Sequence, residues 1–182
     1  MSVRPFEGIQ PDLHPTVYVD EQALVSGAVT IGADSSIWPM TVVRGDVNSI
    51  EIGARTNIQD GCVLHVTHDS GFAEGGMPLR VGNAVTVGHK AVLHACTIED
   101  GCLIGMGAIV LDGAVVRSGA IVGAGALVPP NKDLEGGYLY VGTPVKQVRE
   151  LTLKEKQFLE YSAEHYVRLK DRHRKTVQGI SG

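Results

Sequence analysis

From Val19 to Val128 an aliphatic residue returns every six positions, and no other feature of the chain restricts its fold as strongly. The first run is Val19, Val25, Ile31, Ile37 and Val43, and the second is Ile52, Ile58 and Leu64. The third is Val81, Val87 and Leu93, and the fourth is Ile98, Ile104, Val110, Val116, Val122 and Val128. Two places before these anchors the residue is usually small, as at Ala23, Ser35, Thr41, Ala91, Ala108 and Ala114; one place after, it is often glycine. A period of six with this pattern is the signature of a parallel β-helix, in which each short strand turns one aliphatic side chain inward. One such strand buries too little to stand alone. Stacked coils pair their backbone edges and join the inward residues into one column.

Hexapeptide repeats of this kind resemble the left-handed parallel β-helix, a triangular prism with three hexapeptides to a coil. The handedness rests on that resemblance, because crossovers between parallel strands are otherwise right-handed. The expected fold is mainly β: a left-handed parallel β-helix with a C-terminal α-helix. Composition agrees. Hydrophobic residues make up 43% of the chain but aromatics only 5%, so the core is aliphatic. Cys62, Cys96 and Cys102 each stand two places before an anchor, in the small corner position. They read as structural filler, since a buried thiol behaves as a small hydrophobe. An odd number of cysteines without a Cys-x-x-Cys pair argues against a disulfide framework. With no apolar run at the N-terminus and none approaching ~20 residues, a cytoplasmic protein is expected. A net charge of −4 gives no reason to expect nucleic acid as a partner.

The register has three residues too many between Val43 and Ile52, one too few between Leu93 and Ile98, and a break between Leu64 and Val81. The expected organisation is an N-terminal covering segment over 1–16, a β-helix over 17–130 with a loop insertion at 66–80, and a connector over 131–151. A capping helix over 152–175 and a disordered tail over 176–182 follow. Thr152-Leu-Lys-Glu155 forms a capping box at the helix start. Phe158, Leu159, Ala163, Tyr166 and Leu169 share one helical face, and Lys170, Arg172, Arg174 and Lys175 suit a solvated helix C-terminus.

Counting hexapeptides three to a coil, with insertions looping out, puts the anchors Val43, Leu64 and Leu93 on one face of successive coils. The residues that follow them are Arg44, His65 and His94, a column spaced by about 4.8 Å. Two stacked imidazoles can chelate one ion. His89 falls on a different edge, together with Gln59 and Asp60 one coil earlier. In a threefold assembly that edge can face the Arg44, His65, His94 edge of a neighbour, which gives a homotrimer with three interfacial metal sites. A histidine at a turn is ordinarily solvated or bonded to backbone, and Arg44 with Asp60 also reads as an inter-subunit salt bridge. Position alone leaves these readings open. His68 is ambiguous between a proton carrier and a loop residue, and His14, His165 and His173 read as surface or cap residues.

At Val43-Arg-Gly-Asp46, Asn57-Ile-Gln-Asp60, His65, Gly88-His89-Lys-Ala-Val-Leu-His94 and Gly142-Thr-Pro, the chain resembles the γ-class carbonic anhydrases and their bacterial homologues. The resemblance runs over about residues 10–170. It implies a homotrimer with Zn2+, or Fe2+ or Co2+, bound by His65, His89 and His94 between subunits. Metal-bound hydroxide would attack CO2 to give bicarbonate. It further implies that Gln59 orients the water, that Arg44 and Asp60 form an interfacial pair with Asp46 beside it, and that Tyr166 lies near the pocket. One departure is clear. Val47 follows Asp46 where the most active members carry a proton-shuttling glutamate, and Asp69, His68 and Glu74 are weak substitutes. CO2 hydration is then expected to be slow. The alternatives are a metal-dependent acyl-CoA thioesterase of the same family, a hexapeptide-repeat acyltransferase, or a non-catalytic assembly subunit.

Overall fold

The computed structural model describes residues 2–180, with side chains through Thr176. The six-residue anchors sort into three parallel ladders. Val19, Ile37, Ile58, Val87, Ile104 and Val122 stand in register on the first face. Val25, Val43, Leu64, Leu93, Val110 and Val128 form the second, and Ile31, Ile52, Val81, Ile98 and Val116 the third. There are thus three hexapeptides to a coil, and the insertions do not rotate the count. All of these anchors except Val19 are buried. Each contributes about 1.5–3 kcal/mol through removal of its side chain from water. At the corners glycine lets one coil approach the next: a Cβ on Gly53 would lie 2.6 Å from the carbonyl carbon of Gly82.

The solenoid runs past residue 130, the expected end of the β-helix. Leu134 pairs with Val116 and Tyr140 with Val122, so the repeat passes through Pro129-Pro130 instead of stopping there. Both are buried. At the other end, Val3 pairs with Val25 and Leu13 with Ile31. Residues 1–16 therefore supply part of a coil. The three extra residues after Val43 bulge out of the ladder: strand Val42–Ile52 pairs through Gly45 with Gly27 and resumes at Ile50 with Val29, which adds Ile50 to the core beside Val29 and Leu79. The insertion at 66–80 is a small hairpin: the Thr67 and Met77 backbones exchange bonds of 3.0 and 2.9 Å, and the Asn48 amide donates to the Thr67 carbonyl at 3.2 Å. Phe72 is fully exposed near its tip.

Helix α1 spans Leu153–Ile180. Its capping box forms: the Glu155 carboxylate accepts from the Thr152 backbone N–H at 2.8 Å, and the Glu155 N–H donates to Thr152 Oγ1 at 3.2 Å. The helix does not close the open end of the solenoid, as the expected cap would. It runs back along the first face, from Ser162, which bonds Thr86, to Arg174, which donates to the carbonyl of Thr16 at 2.9 Å. The end of the solenoid is covered instead by Lys146–Glu150, antiparallel to Tyr138–Val141. The expected solvated basic end holds for Arg172 and Lys175, which are exposed, but not for Lys170 and Arg174. The helix continues to Ile180, Lys170 is buried, and Arg174 docks on backbone. Of the expected tail, residues 176–180 are helical and 181–182 lie outside the described residues. Leu159 and Ala163 pack inward, whereas Phe158 is half exposed. Among the described residues no helix is long and apolar enough to cross a membrane.

Candidate metal centre

Strand register puts His94 directly beside His65, and Arg44 precedes His65 in the same column. The two imidazoles converge: His65 Nδ1 lies 3.2 Å from His94 Nε2. Each ring commits its other nitrogen to a carboxylate. His65 Nε2 bonds Asp46 Oδ1 at 3.0 Å, and His94 Nδ1 bonds Asp112 Oδ1 at 2.6 Å. A carboxylate can only accept, so these nitrogens carry the protons. Burial alone would raise the Asp46 carboxyl, but hydrogen bonds from Arg44 and His65 outweigh it and hold the group below its ordinary range. Asp112 behaves alike, with Thr67 and His94 overcoming the effect of burial.

The consequence is a pair of lone pairs aimed at one point. Two acceptors at that separation repel unless a cation lies between them, either a proton or a metal ion. Tetrahedral zinc with Zn–N bonds of 2.0–2.1 Å sets its ligand nitrogens about 3.3 Å apart. The 3.2 Å separation of His65 and His94 fits that spacing. Carboxylates on the remote nitrogens are the usual partners of metal-binding histidines.

His89 lies on another edge. Its Nδ1 stands 2.9 Å from Asp60 Oδ2, an ion-pair distance, and its side chain is 41% exposed. Among the described residues of a single chain, no group of three or more His, Cys, Asp or Glu gathers as a metal cluster. One chain thus presents a pair of facing imidazoles on one edge and a single imidazole on another. Arg44 pairs with Asp46 at 2.5 Å, and the in-chain partner of Asp60 is His89 and not Arg44.

Gln59 is buried beneath α1. Its Nε2 donates to Asn57 Oδ1 at 3.0 Å, Asn57 Nδ2 donates to Thr86 Oγ1 at 3.0 Å, and Thr86 meets Ser162 of the helix at 2.9 Å. Tyr166 packs edge-on against Trp38 with ring centroids 5.6 Å apart. Its hydroxyl is pushed up by burial and then by the charge of Asp60. The remaining histidines lie elsewhere. His68 is exposed in the insertion, His14 bonds Thr16, His165 stacks on Tyr161, and His173 meets Trp38 edge-on.

Sequence reading missed Asp112 and Thr67. The signal for Asp112 was available: Val110 follows Leu93 on the same face, and Asp112 stands two residues past it, one coil beyond His94. No spacing argument announces Thr67, because it belongs to the insertion.

Comparison with known proteins agrees with the fold. A repeat model described as bacterial transferase hexapeptide (six repeats) matches residues 95–130. Protein YrdA of Escherichia coli is 52% identical over 94% of this chain and 93% of its own. A probable carbonic anhydrase of Methanocaldococcus jannaschii is 44% identical over 85% of this chain and 93% of its own. The solved structure of a putative acetyltransferase from Bacillus cereus superposes with a TM-score of 0.89 at 37% identity, covering 96% of this chain and 97% of the other.

Proposed function

Since this chain belongs to the γ-carbonic-anhydrase-like family of hexapeptide-repeat proteins, we propose that it is a metal-dependent enzyme that interconverts CO2 and bicarbonate. The observation that carries this reading is the convergence of His65 Nδ1 and His94 Nε2, each ring held from behind by a carboxylate. The ion would be Zn2+, with Fe2+ or Co2+ as alternatives. His65 and His94 of one chain and His89 of a neighbouring copy would hold it, in a homotrimer. The exposed apolar side chains favour that assembly. Val63 and Ile109 flank the His65, His94 column, while Met40 and Met106 lie along the His89 edge, and all four face solvent in the single chain. When bound, the ion supplies Lewis acidity that brings the pKa of a water toward ~7.

The chain's own residues do the rest. Asp46 and Asp112 fix His65 and His94 in the tautomer that presents a lone pair, and Asp60 lies 2.9 Å from His89 Nδ1. Gln59, its amide nitrogen committed to Asn57, leaves a carbonyl oxygen to accept from a water and orient it. Arg44, half exposed and with donors beyond the one given to Asp46, is suited to hold the bicarbonate anion.

A second reading, hydrolysis of an acyl-CoA thioester, is favoured by Val47. It is 46% exposed directly after Asp46, at a place where rapid CO2 hydration calls for a group that carries protons away. The test is elemental analysis of protein purified without chelators, followed by stopped-flow CO2 hydration beside an acyl-CoA hydrolysis panel. About one equivalent of metal per chain with CO2 turnover is expected. Metal with thioesterase turnover alone selects the second reading. Metal below about one-third of an equivalent overturns both.

A further inference from the structure

We propose that Asp112, held by Thr67 of the insertion, is a positioning residue that fixes His94 in its Nδ1–H tautomer and aims the Nε2 lone pair at His65. The inference rests on His94 being a metal ligand, and it extends the site to two residues outside the histidine edges.

The geometry is specific. Asp112 Oδ1 takes the His94 Nδ1 proton at 2.6 Å, and both side chains are only one-third exposed. The Thr67 hydroxyl donates to the other oxygen, Asp112 Oδ2. With Oδ2 so occupied, the carboxylate plane is set and Oδ1 is left for the imidazole. Thr67 is itself anchored. Its backbone is paired with Met77, and its carbonyl accepts from the Asn48 side chain. A continuous hydrogen-bonded path therefore leads from Asn48 and the insertion, through Thr67 and Asp112, to His94. It joins segments separated by 45 residues between Thr67 and Asp112.

The chemistry follows from the two neutral forms of imidazole. The Nδ1–H form presents Nε2 as an acceptor toward His65 Nδ1. The Nε2–H form would put a proton where a metal has to bind. A hydrogen bond to an ionised carboxylate is roughly twice as strong as a neutral one, so it selects the first form decisively. Asp46 does the same for His65, so the two facing imidazoles are oriented by matching carboxylates. Thr67 also gives the insertion a role. The segment that interrupts the repeat steadies a ligand on the coil above it.

The experiment compares zinc affinity, by chelator competition, with the 15N chemical shifts of the His94 ring in metal-free protein. Wild type, Asp112→Ala, Thr67→Val, Thr67→Ser and His94→Ala are measured, each checked by circular dichroism for an intact solenoid. Asp112→Ala is expected to weaken zinc binding by about 10–100-fold and to move His94 toward the Nε2–H form. Thr67→Val should shift both readouts in the same direction by less, with Asp112 still present, and Thr67→Ser should restore them. Zinc affinity of Asp112→Ala within about twofold of wild type, with the Nδ1–H signature retained, overturns the inference. Wild type and His94→Ala binding zinc equally weakly overturns the metal reading itself, and the ring shifts of Asp112→Ala then still decide whether Asp112 sets the tautomer. If Asp112→Ala does not fold, the Thr67→Val and Thr67→Ser pair decides alone.

Discussion

Lys170 Nζ lies 3.1 Å from Asp34 Oδ1, and this contact ties the far end of α1 to a corner of the second coil. The lysine is 1% exposed and also bonds Asp171 at 2.6 Å, while Asp34 remains 41% exposed. Burial would raise the Asp34 carboxyl, but Lys170 and Thr16 overcome it and hold the group below its ordinary range. Removing the aspartate leaves a buried ammonium with one partner fewer. Asp34→Ala should therefore destabilise by about 1–3 kcal/mol. Lys170→Met, which removes the charge and keeps the volume, should cost less than Asp34→Ala. Urea midpoints at one fixed protein concentration measure both. A lysine variant that is clearly the worse of the two would contradict the account.

Glu155 gives the helix start a pH dependence. Hydrogen bonds from Arg149 and from the backbone and hydroxyl of Thr152 lower its carboxyl from 4.5 to about 2. The folded value lies below the unfolded one, so the contribution is present above about pH 4.5 and is lost as pH falls toward 2. Protection of the Thr152, Glu155 and Lys156 amides, relative to their intrinsic exchange at each pH, should fall through that window in wild type. In Glu155→Gln the same amides should be less protected at neutral pH and show a smaller change on acidification. Identical profiles for the two proteins would remove the capping box from the explanation.

The three cysteines should be inert in the folded chain. Burial pushes the thiols of Cys62 and Cys102 up to about 12 and that of Cys96 higher still, and all three sit in the corner positions of the core. A thiolate is the reactive species, so each is starved of it at neutral pH. Labelling with a thiol reagent should be negligible under native conditions and reach all three cysteines in denaturant. Rapid native labelling of even one of them would place it outside the core.

The legible part of this fold is the part that repeats. A single inward aliphatic every six residues dictates strand, coil and ladder together, so Leu64, Leu93 and Val110 could be stacked by counting. The same count put His94 beside His65 and moved His89 to another edge. It was ended too early at Pro129-Pro130, although Leu134 stands in register six residues after Val128 and Tyr140 six after that. Between Val43 and Ile52 the three extra residues bulge out and leave the count in register, as the spacing requires. The course of α1 was hidden for a different reason. Helical periodicity identifies an apolar stripe but not the surface that receives it, and here that surface is the first face, through Ser162, Lys170 and Arg174. Asp112 is an intermediate case, placed by the count yet meaningful only once His94 is known to need a partner for Nδ1.

The proposed division of the metal site between copies can be tested by two variants that fail differently. His89→Ala removes a ligand from one edge and leaves the apolar surfaces intact. It should stay trimeric by sedimentation while losing most of its metal. Ile109→Glu leaves all three histidines and puts a charge in the exposed aliphatic column, where Ile109 is 37% exposed beside the partly covered Val92 and Leu127. A buried unpaired carboxylate at an interface costs several kcal/mol, so this variant should sediment as a monomer with a normal far-UV spectrum. Its metal content should fall as well, because His65 and His94 alone would then face solvent with the third ligand gone. An Ile109→Glu monomer that retains full metal would show that a single chain completes the site. A His89→Ala trimer with unchanged metal would show that the third ligand lies elsewhere.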